Sequence, residues 1–233
     1  MKKGVQIIYS EVALTYDRLN HILTLGLDII WRKRCARFLR RAPSGRWLDV
    51  CSGTGEMLVY LDRIKPQQTT LFAADFSFSM LDISRRRNHA AGIHFCLSDV
   101  QRLPFPDNTF SVVLITFATR NIDSNKERLL GYLREFRRVL APGGLFINLE
   151  TSQPPVRLIR LLFHAFVRAT VRRIGARISG SDAGYAYLAH TIPRFYGAPV
   201  LSDIIIEAGF REVSFKRHLF GIAARHTALK SFE

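Results

Sequence analysis

Short apolar runs alternate with helical patterns over the first 150 residues of the chain. The helical patterns place apolar residues at spacings of three and four. Five apolar runs predict buried strands: WLDV from Trp47, TLFAAD over 70–75, IHFCLSD over 93–99, FSVVLITFA over 110–118 and LFINLE over 145–150. Because strands alternate with helices at this pace, we predict a parallel sheet with helices on both faces.

The alternation stops after the fifth run. Residues 154–197 have the pattern of helices and loops, residues 202–210 predict one more helix, and residues 212–230 resemble an antiparallel pair of strands. We therefore predict a single α/β domain whose open sheet has five parallel strands and an antiparallel edge hairpin. Its parts are an N-terminal helical segment (9–41), a cofactor-binding core (46–150), a helical lid insertion (151–197) and a C-terminal helix with the hairpin (198–233).

Composition and charge narrow the class of protein. With 233 residues, 48% of them hydrophobic and 23% charged, the chain has the size and balance of a globular domain. Its three cysteines are scattered and form no C-x-x-C pair, so we expect neither a disulfide framework nor a metal site, and a reducing cytoplasm fits. Polar residues interrupt the apolar N-terminus, which argues against a secretory signal. The net charge of +15 indicates nucleic acid or an anionic membrane as partner, or serves solubility alone.

The turn after the first strand carries the first chemical signal. It reads WLDVCSGTGEML, and Gly53 and Gly55 stand where the strand turns into a helix. Glycines in such a turn let a nucleotide approach the backbone at a helix N-terminus. A dinucleotide fingerprint needs a third glycine where Leu58 stands, so the turn predicts a different nucleotide-like ligand.

Acids follow three of the predicted strands, at the edge where ligands bind in such sheets. Asp75 is placed to accept hydrogen bonds from both hydroxyls of a ribose, and Asp99 to accept one from the amine of adenine. Asp49 disfavours a pyrophosphate and suits a cation. A ligand with a ribose, an adenine, a positive charge and no phosphate is S-adenosylmethionine, which we predict as the cofactor. The alternative is that these acids only cap helices or turns.

Further motifs resemble those of the quinone-biosynthesis C-methyltransferases, which methylate demethylmenaquinol or a methoxy-polyprenyl-benzoquinol. The resemblance covers roughly residues 9–229 and rests on YDRLN with LGLDIIWRKR, LDVCSGTGE, LPFPDNTFSVVLI, TRN, LREFRRVLAPGG and YAYLAHTI. It implies a Rossmann-like class I methyltransferase fold. It also implies cofactor contacts from Thr54, Asp75, Asp99, Val100 and Thr116.

The same resemblance directs attention to the end of the fourth strand. Methylation of a ring carbon requires that a hydroxyl of the quinol ionise and that the ring proton be removed. We predict that Arg120 stabilises the phenolate and that Asn121 orients the ring or a water. Arginine is a poor base at neutral pH, so the general base is left open. Tyr185, Tyr187 and His190 are candidate relays, with a packing or structural role as the alternative for each.

Two departures from the family pattern bear on these expectations. Cys51, Ser52 and Thr116 are small residues in place of other small residues, which leaves cofactor binding plausible. Ala118 and Thr119 replace a more usual Gly-Leu pair before Arg-Asn. This second change bears on substrate preference rather than on the reaction.

The predicted insertion is strongly basic. Between Thr151 and Ser181 it contains six arginines and no acid, with apolar residues between them. Such a segment fits a lid whose apolar face covers the active site. It also fits a helix on an anionic bilayer, where each basic group contributes roughly 1 kcal/mol. Because a polyprenylated quinol resides in the membrane, we expect a cytoplasmic enzyme with peripheral contact at the inner face of the membrane.

Other functions remain as alternatives. A nucleic-acid methyltransferase would suit the net charge, but FATRN stands where enzymes that methylate base amines carry an [ND]-P-P-[YFW] turn, and the basic residues form no stripe interleaved with aromatic residues. The protein could also be a binding module of the same fold without catalytic activity, but the acids at the strand ends argue against this alternative. The short chain, with no N-terminal extension, favours the menaquinone reaction over the benzoquinol step of ubiquinone biosynthesis. The length of the prenyl tail and homodimerisation are left open.

Overall fold

The structure, a computed structural model, describes residues 13, 15–89, 91–122, 125–179 and 190–232, with only the backbone of 172–179. This part of the chain contains eight α-helices and seven β-strands. In chain order they are α1 (Tyr16–Leu23), α2 (Leu27–Leu39), β1 (Gly45–Val50), α3 (Glu56–Ile64), β2 (Thr69–Asp75), α4 (Phe78–Arg87), β3 (His94–Leu97), β4 (Phe110–Thr116), α5 (Thr119–Ile122), α6 (Lys126–Val139), β5 (Leu140–Thr151), α7 (Arg157–Ser179), α8 (Ala198–Glu207), β6 (Arg211–His218) and β7 (Ala223–Leu229).

All seven strands form one sheet in the order β3-β2-β1-β4-β5-β7-β6. Strands β1 to β5 are parallel, whereas β7 runs antiparallel to both β5 and β6. The predicted sheet of five parallel strands with an antiparallel edge hairpin is therefore confirmed. The strand order reverses between the neighbours β1 and β4, so the connections after these two strands diverge and leave a crevice at their carboxyl ends.

Helices cover both faces of the sheet. On one face α2 and α3 pack against β1, where Trp31 and Leu58 share an apolar cluster with Trp47. On the other face α6 and α8 supply Phe136 and Ile205 to a second cluster. Because successive side chains of a strand point to opposite faces, Asp49 of β1 lies on the same side as Trp47, under α2 and α3.

The N-terminal helical segment contains a turn. Within the helical segment predicted over 9–41, the structure has two helices, α1 and α2, joined by this turn. Leu25 (φ 53°) and Gly26 (φ 74°) adopt left-handed backbone conformations, which end an α-helix. The Thr24 hydroxyl then donates a hydrogen bond to the Asp28 carboxylate of α2 (2.6 Å). Apolar residues keep their helical spacing through this turn, so the pattern did not reveal it.

Two element boundaries also differ from their predictions. The fifth strand was predicted to begin at Leu145, but β5 already begins at Leu140. Leu140 pairs with Phe110, and Leu145 pairs with Val112, so the residues between them form an irregularity in the strand. Helix α8 begins at Ala198 rather than at the predicted Ser202.

Helix α7, from the predicted insertion, packs against α1 and not against the sheet. Leu19 of α1 is fully buried with Val167 and Val171 of α7 in an apolar cluster of their own. This helix has 23 residues, but its arginines interrupt the apolar side chains. Within the described part of the chain, no helix is long and apolar enough to cross a membrane.

We expect Gly55→Ala to destabilise the fold by about 2 kcal/mol or more. Gly55 has a left-handed backbone (φ 76°), and a Cβ there would lie 2.1 Å from the Ser84 hydroxyl oxygen and 2.7 Å from Nδ2 of Asn88. Urea denaturation followed by circular dichroism measures the change. Gly131→Ala is the matched control: it lies within α6, a Cβ there would meet nothing within 4 Å, and a gain of about 0.8 kcal/mol is expected. Equal stabilities for the two variants would contradict the packing argument.

Candidate active site

Two cavities meet at the carboxyl edge of the sheet. The first, here called the loop cavity, is lined by the turn after β1, the ends of β2 and β4, and parts of α1 and α5. The second, here called the apolar cavity, lies between α1, α2 and α7. The crevice expected from the strand order is thus divided into two parts, of which the second is the more apolar.

Gly53 and Asp75 shape the loop cavity. The N–H of Gly53 donates to one carboxylate oxygen of Asp75, and the N–H of Ser77 donates to the other, each at 2.9 Å. Gly53 has φ 54°, and a Cβ there would meet no atom within 4 Å, so its bare backbone faces the open cavity. Burial raises the pKa of Asp75 to about 6, against the lowering effect of the backbone N–H groups that bond to it. Both residues lie where the sequence predicted a cofactor.

Gly55 and Thr54 contact other helices of the protein: Gly55 packs against α4, and the Thr54 hydroxyl bonds to α1. Gly55 allows α3 to approach α4 closely and does not line the loop cavity. Thr54 does line it, but its hydroxyl donates to the Asp17 carboxylate of α1 (2.6 Å). Arg87 of α4 bonds to the same carboxylate (2.5 Å) and to the Thr54 carbonyl (3.0 Å). These contacts fasten α1 over the loop, and the sequence did not predict them.

Asp49 is buried beneath the loop, with 1% of its surface exposed. Neither carboxylate oxygen has a hydrogen-bond partner among the described residues. Burial raises the pKa of Asp49 to about 8; Arg32 acts to lower the pKa, and Asp75 acts to raise it. An orphaned buried carboxyl is costly unless a positive charge or a donor is supplied, so Asp49 fits the predicted cationic cofactor.

The structure does not bring Asp99 and Val100 into the loop cavity. One carboxylate oxygen of Asp99 accepts a hydrogen bond from the N–H of Gln101 (3.0 Å), and Val100 is buried in the core. The predicted contact of Asp99 with adenine and the predicted cofactor contact of Val100 therefore stay predictions. Thr116, at the end of β4, does line the loop cavity.

Arg120 and Asn121 are neighbours in sequence but line different cavities. Asn121 lines the loop cavity, and its Oδ1 is buried with no hydrogen-bond partner among the described residues. Arg120 lines the apolar cavity and forms a buried ion pair with Glu150 at the end of β5 (2.5 Å). Thr151 also accepts from Arg120 (3.3 Å). The polar ends of β4 and β5 thus place one guanidinium at the inner end of an apolar cavity.

The predicted relay residues are not part of the two cavities as described. Tyr185 and Tyr187 lie outside the described residues. His190 is exposed, bonds to Arg194 (2.9 Å) and lines neither cavity.

Three side chains that the sequence analysis did not assign line both cavities: Tyr16, Arg32 and Phe117. Tyr16 opens the YDRLN motif, and Phe117 follows β4 with a left-handed backbone (φ 55°). A non-glycine residue in this conformation is often found at a functional site. The motif was the only sequence signal for any of them, because no spacing rule relates α1 and α2 to the ends of strands far along the chain.

The apolar cavity suits a long hydrocarbon. Helix α7 contributes one wall through side chains that include Ile159, Phe163 and Val167. Its polar lining includes Tyr16 and Arg120, which are close enough to interact electrostatically. Pockets of this kind hold an apolar ligand and orient it by a few polar contacts.

Comparisons with known proteins agree with this site. The model of the ubiE/COQ5 methyltransferase family matches residues 1–230. A demethylmenaquinone methyltransferase of Thermus thermophilus is 36% identical over 222 residues, which cover 94% of this chain and 98% of the relative. The ubiquinone/menaquinone biosynthesis C-methyltransferase UbiE of Desulfotalea psychrophila is 32% identical over 227 residues, which cover 97% and 90%.

A solved structure shows the same fold. It is a SAM-dependent methyltransferase of Thermotoga maritima, described as a possible histamine N-methyltransferase, with a TM-score of 0.67 and 18% identity over 96% of this chain and 99% of that one. The predicted class I methyltransferase fold and the predicted S-adenosylmethionine cofactor are confirmed. By the family model and by its relatives, the chain belongs to the ubiE/COQ5 methyltransferase family.

Proposed function

We propose that this methyltransferase transfers the methyl group of S-adenosylmethionine to a ring carbon of demethylmenaquinol, a polyprenylated hydroquinone. The observation that carries the proposal is the junction of the two cavities. The loop cavity, lined by the open Gly53 backbone and the buried acid Asp75, meets an apolar cavity whose lining includes Tyr16 and Arg120. Asp49 is buried close by and does not itself line the loop cavity. Two curated relatives are named for this reaction or for the paired menaquinone and ubiquinone reactions, which supports the same acceptor class.

The loop cavity accounts for the cofactor. Asp75 accepts from the ribose hydroxyls, Gly53 leaves room for close approach, and Asp49 offsets the positive charge of the ligand. The bound cofactor supplies an electrophilic methyl group. The protein therefore contributes mainly orientation and the exclusion of water.

The apolar cavity accounts for the acceptor. Its hydrocarbon walls take the prenyl chain, and Arg120 at the inner end faces a ring hydroxyl. A guanidinium in a dry site stabilises the phenolate that pushes electron density onto the ring carbon. Glu150 holds Arg120 in place but also offsets part of its charge, so the pair acts as an oriented dipole rather than as a free cation.

The first test is methyl transfer from labelled S-adenosylmethionine to reduced demethylmenaquinone, with the demethylated methoxy-benzoquinol assayed in parallel. We expect label in the naphthoquinol. Label in the benzoquinol alone would assign the enzyme to ubiquinone biosynthesis instead of menaquinone biosynthesis. Label in neither quinol would reject the acceptor class.

In the same assay, the double variant Arg120→Gln/Glu150→Gln is expected to lower kcat about 100-fold, because one donor to the phenolate is lost. Both partners are replaced because a single change would leave a buried charge unpaired, at about 3–5 kcal/mol. The dissociation constant of the cofactor should stay within about threefold, since Arg120 does not line the loop cavity. Arg128→Gln, exposed on α6, is the control. Turnover near the wild-type value in the double variant would remove Arg120 from the mechanism.

Cofactor binding is expected to release a proton from Asp49. With a pKa of about 8, this carboxyl is mainly protonated at pH 7 in the free protein, and the charge of the sulfonium and ammonium groups favours its ionised form. Calorimetry in two buffers of different ionisation enthalpy should therefore give a release that approaches one proton, and affinity should rise from pH 6 to pH 9. Asp49→Asn should abolish the release. Equal heats in both buffers for the wild type would contradict this assignment.

We further propose that the mouth of the apolar cavity rests on an anionic bilayer. Four large apolar side chains line the cavity and are exposed at its mouth: Leu25, Leu162, Phe166 and Leu219. Leu25, Leu219 and Phe220 all have positive φ angles, and the Phe220 side chain is 72% exposed. A left-handed backbone at a large apolar residue is strained, and its exposed side chain adds an unfavourable contact with water. Burial of these side chains in a bilayer would remove the contact with water.

The charge around this mouth supports the same partner. Arg157 and Arg168 of α7 are exposed, and no acid occurs between Thr151 and Ser181. Each arginine near an anionic surface contributes about 1 kcal/mol. The prenyl chain of the quinol then passes from the bilayer into the cavity without crossing water.

We expect the protein to sediment with vesicles that contain phosphatidylglycerol at low salt, and less with pure phosphatidylcholine or at high salt. The double variant Leu25→Asn/Phe220→Asn should reduce binding severalfold, because asparagine tolerates the same backbone but inserts less well. Phe78→Asn is the matched control: Phe78 is also 72% exposed but begins α4, whereas Phe220 directly follows Leu219 of the apolar cavity. Equal losses for control and double variant would reject this face as the docking surface.

A further inference from the structure

Arg32 stands at the junction of the two cavities. It lines both of them together with Tyr16 and Phe117, so a methyl group that moves from donor to acceptor passes these three side chains. Of the three, Arg32 is the one that carries a charge at neutral pH. Its side chain is 8% exposed, so little water screens that charge.

Two carboxylates hold the guanidinium of Arg32. Nη1 lies 2.6 Å from Oδ2 of Asp28, and Nη2 lies 3.3 Å from Oε2 of Glu56. His21 connects the same two acids: Nδ1 lies 2.9 Å from Oδ2 of Asp28, and Nε2 lies 2.9 Å from Oε1 of Glu56. These four side chains, here called the charge ring, link α1, α2 and α3.

The charge ring partly offsets the charge of Arg32. The Asp28 and Glu56 carboxyls face the guanidinium, and the two ring nitrogens of His21 lie between the same carboxyls. Burial raises the pKa of Glu56, against the lowering effect of Arg32. His21, Asp28 and Glu56 have the residue types of a metal site, with ligand atoms within 4.8 Å of one another, but Arg32 already pairs with both acids.

The remaining contacts of Arg32 direct it to the acceptor. Its guanidinium carbon lies 4.9 Å from the ring centroid of Phe117, and that ring lies 6.1 Å from the ring of Trp31. Burial raises the pKa of the Tyr16 hydroxyl, while Arg120 and Arg32 both act to lower it. Tyr16 is therefore within electrostatic reach of both guanidinium groups, of which Arg32 lines both cavities and Arg120 lines the apolar cavity.

We propose that Arg32 is a second guanidinium of the reaction centre, which binds one ring hydroxyl of the quinol and stabilises its ionised form while Arg120 serves the other hydroxyl. The two hydroxyls of a hydroquinone lie on opposite sides of the ring, so two separate guanidinium groups, each held by its own acids, can each meet one hydroxyl. The quinone form has no hydroxyl to ionise, so this arrangement favours the reduced acceptor. The inference rests on the quinol methyltransferase function proposed above.

The test is the pH dependence of kcat, measured without oxygen on the reduced acceptor. The plot of kcat against pH should rise where the bound ring hydroxyl ionises. In Arg32→Gln this hydroxyl loses a nearby cation, so the rising limb of the plot should move to higher pH by about 1 unit or more. At pH 7 kcat should fall at least about tenfold, with the dissociation constant of the cofactor within about threefold of wild type. Arg37→Gln is the matched control, because Arg37 is exposed on the same helix and lines neither cavity.

Asp28→Asn tests the same inference, with an expected shift of the pH profile in the opposite direction. Asparagine keeps the shape of Asp28 but removes one of the charges that offset Arg32, so the rising limb should move to lower pH. A purely structural role would not shift the two variants in opposite directions. If Arg32→Gln fails to bind the cofactor, Asp28→Asn decides alone, and an unshifted limb overturns the inference.

The outcomes separate this inference from the proposed function. If the wild-type enzyme labels no quinol at any pH, both fall. If the wild type is active and neither variant shifts the limb, only the role of Arg32 falls.

Discussion

The parallel pairing of β1 with β2 on one side and β4 on the other places the polar groups at and after the ends of these three strands. The register sets Asp49 beside Ala73 and Leu114, in the middle of the sheet. Because parallel strands end at the same edge, the turn after β1, the acid at the end of β2 and the residues after β4 converge there. The hydrogen bond from Gly53 to Asp75 closes this arrangement, since it ties the turn after β1 to the end of β2.

Buried charge is the second constraint. Arg32, Arg120 and Glu150 are all less than a tenth exposed, and each is paired. Such pairs contribute little net stability, because desolvation offsets their attraction. Their value lies in orientation, since a paired guanidinium in a dry site cannot turn away from the position where negative charge develops. Asp49 differs from these residues, because its carboxyl has no hydrogen-bond partner among the described residues. A cation that binds nearby would lower the free-energy cost of burying this carboxyl in its ionised form.

The site depends on elements outside the sheet. Helices α1 and α2 contribute Tyr16 and Arg32, and α7 contributes the wall of the apolar cavity. The charge ring and the contact of Asp17 with Thr54 fasten α1 and α2 to the helix that follows the glycine turn. Donor and acceptor cavities are thus held together by polar contacts on one side and by apolar packing of α7 on the other.

By itself, the sequence determined the sheet, its helical layers and the glycine turn after β1. Local physics decides these features: apolar runs bury themselves as strands, and Gly53 permits a backbone that other residues resist. It also indicated Arg120 and Asn121 through a motif, but not that they line different cavities. Only the tertiary structure decided that Asp99 lies outside the loop cavity, that Gly55 serves helix packing and that Arg32 stands between the cavities. These outcomes depend on contacts between residues far apart in the chain, such as His21 with Glu56 or Arg120 with Glu150, and such contacts leave no periodic trace in the sequence.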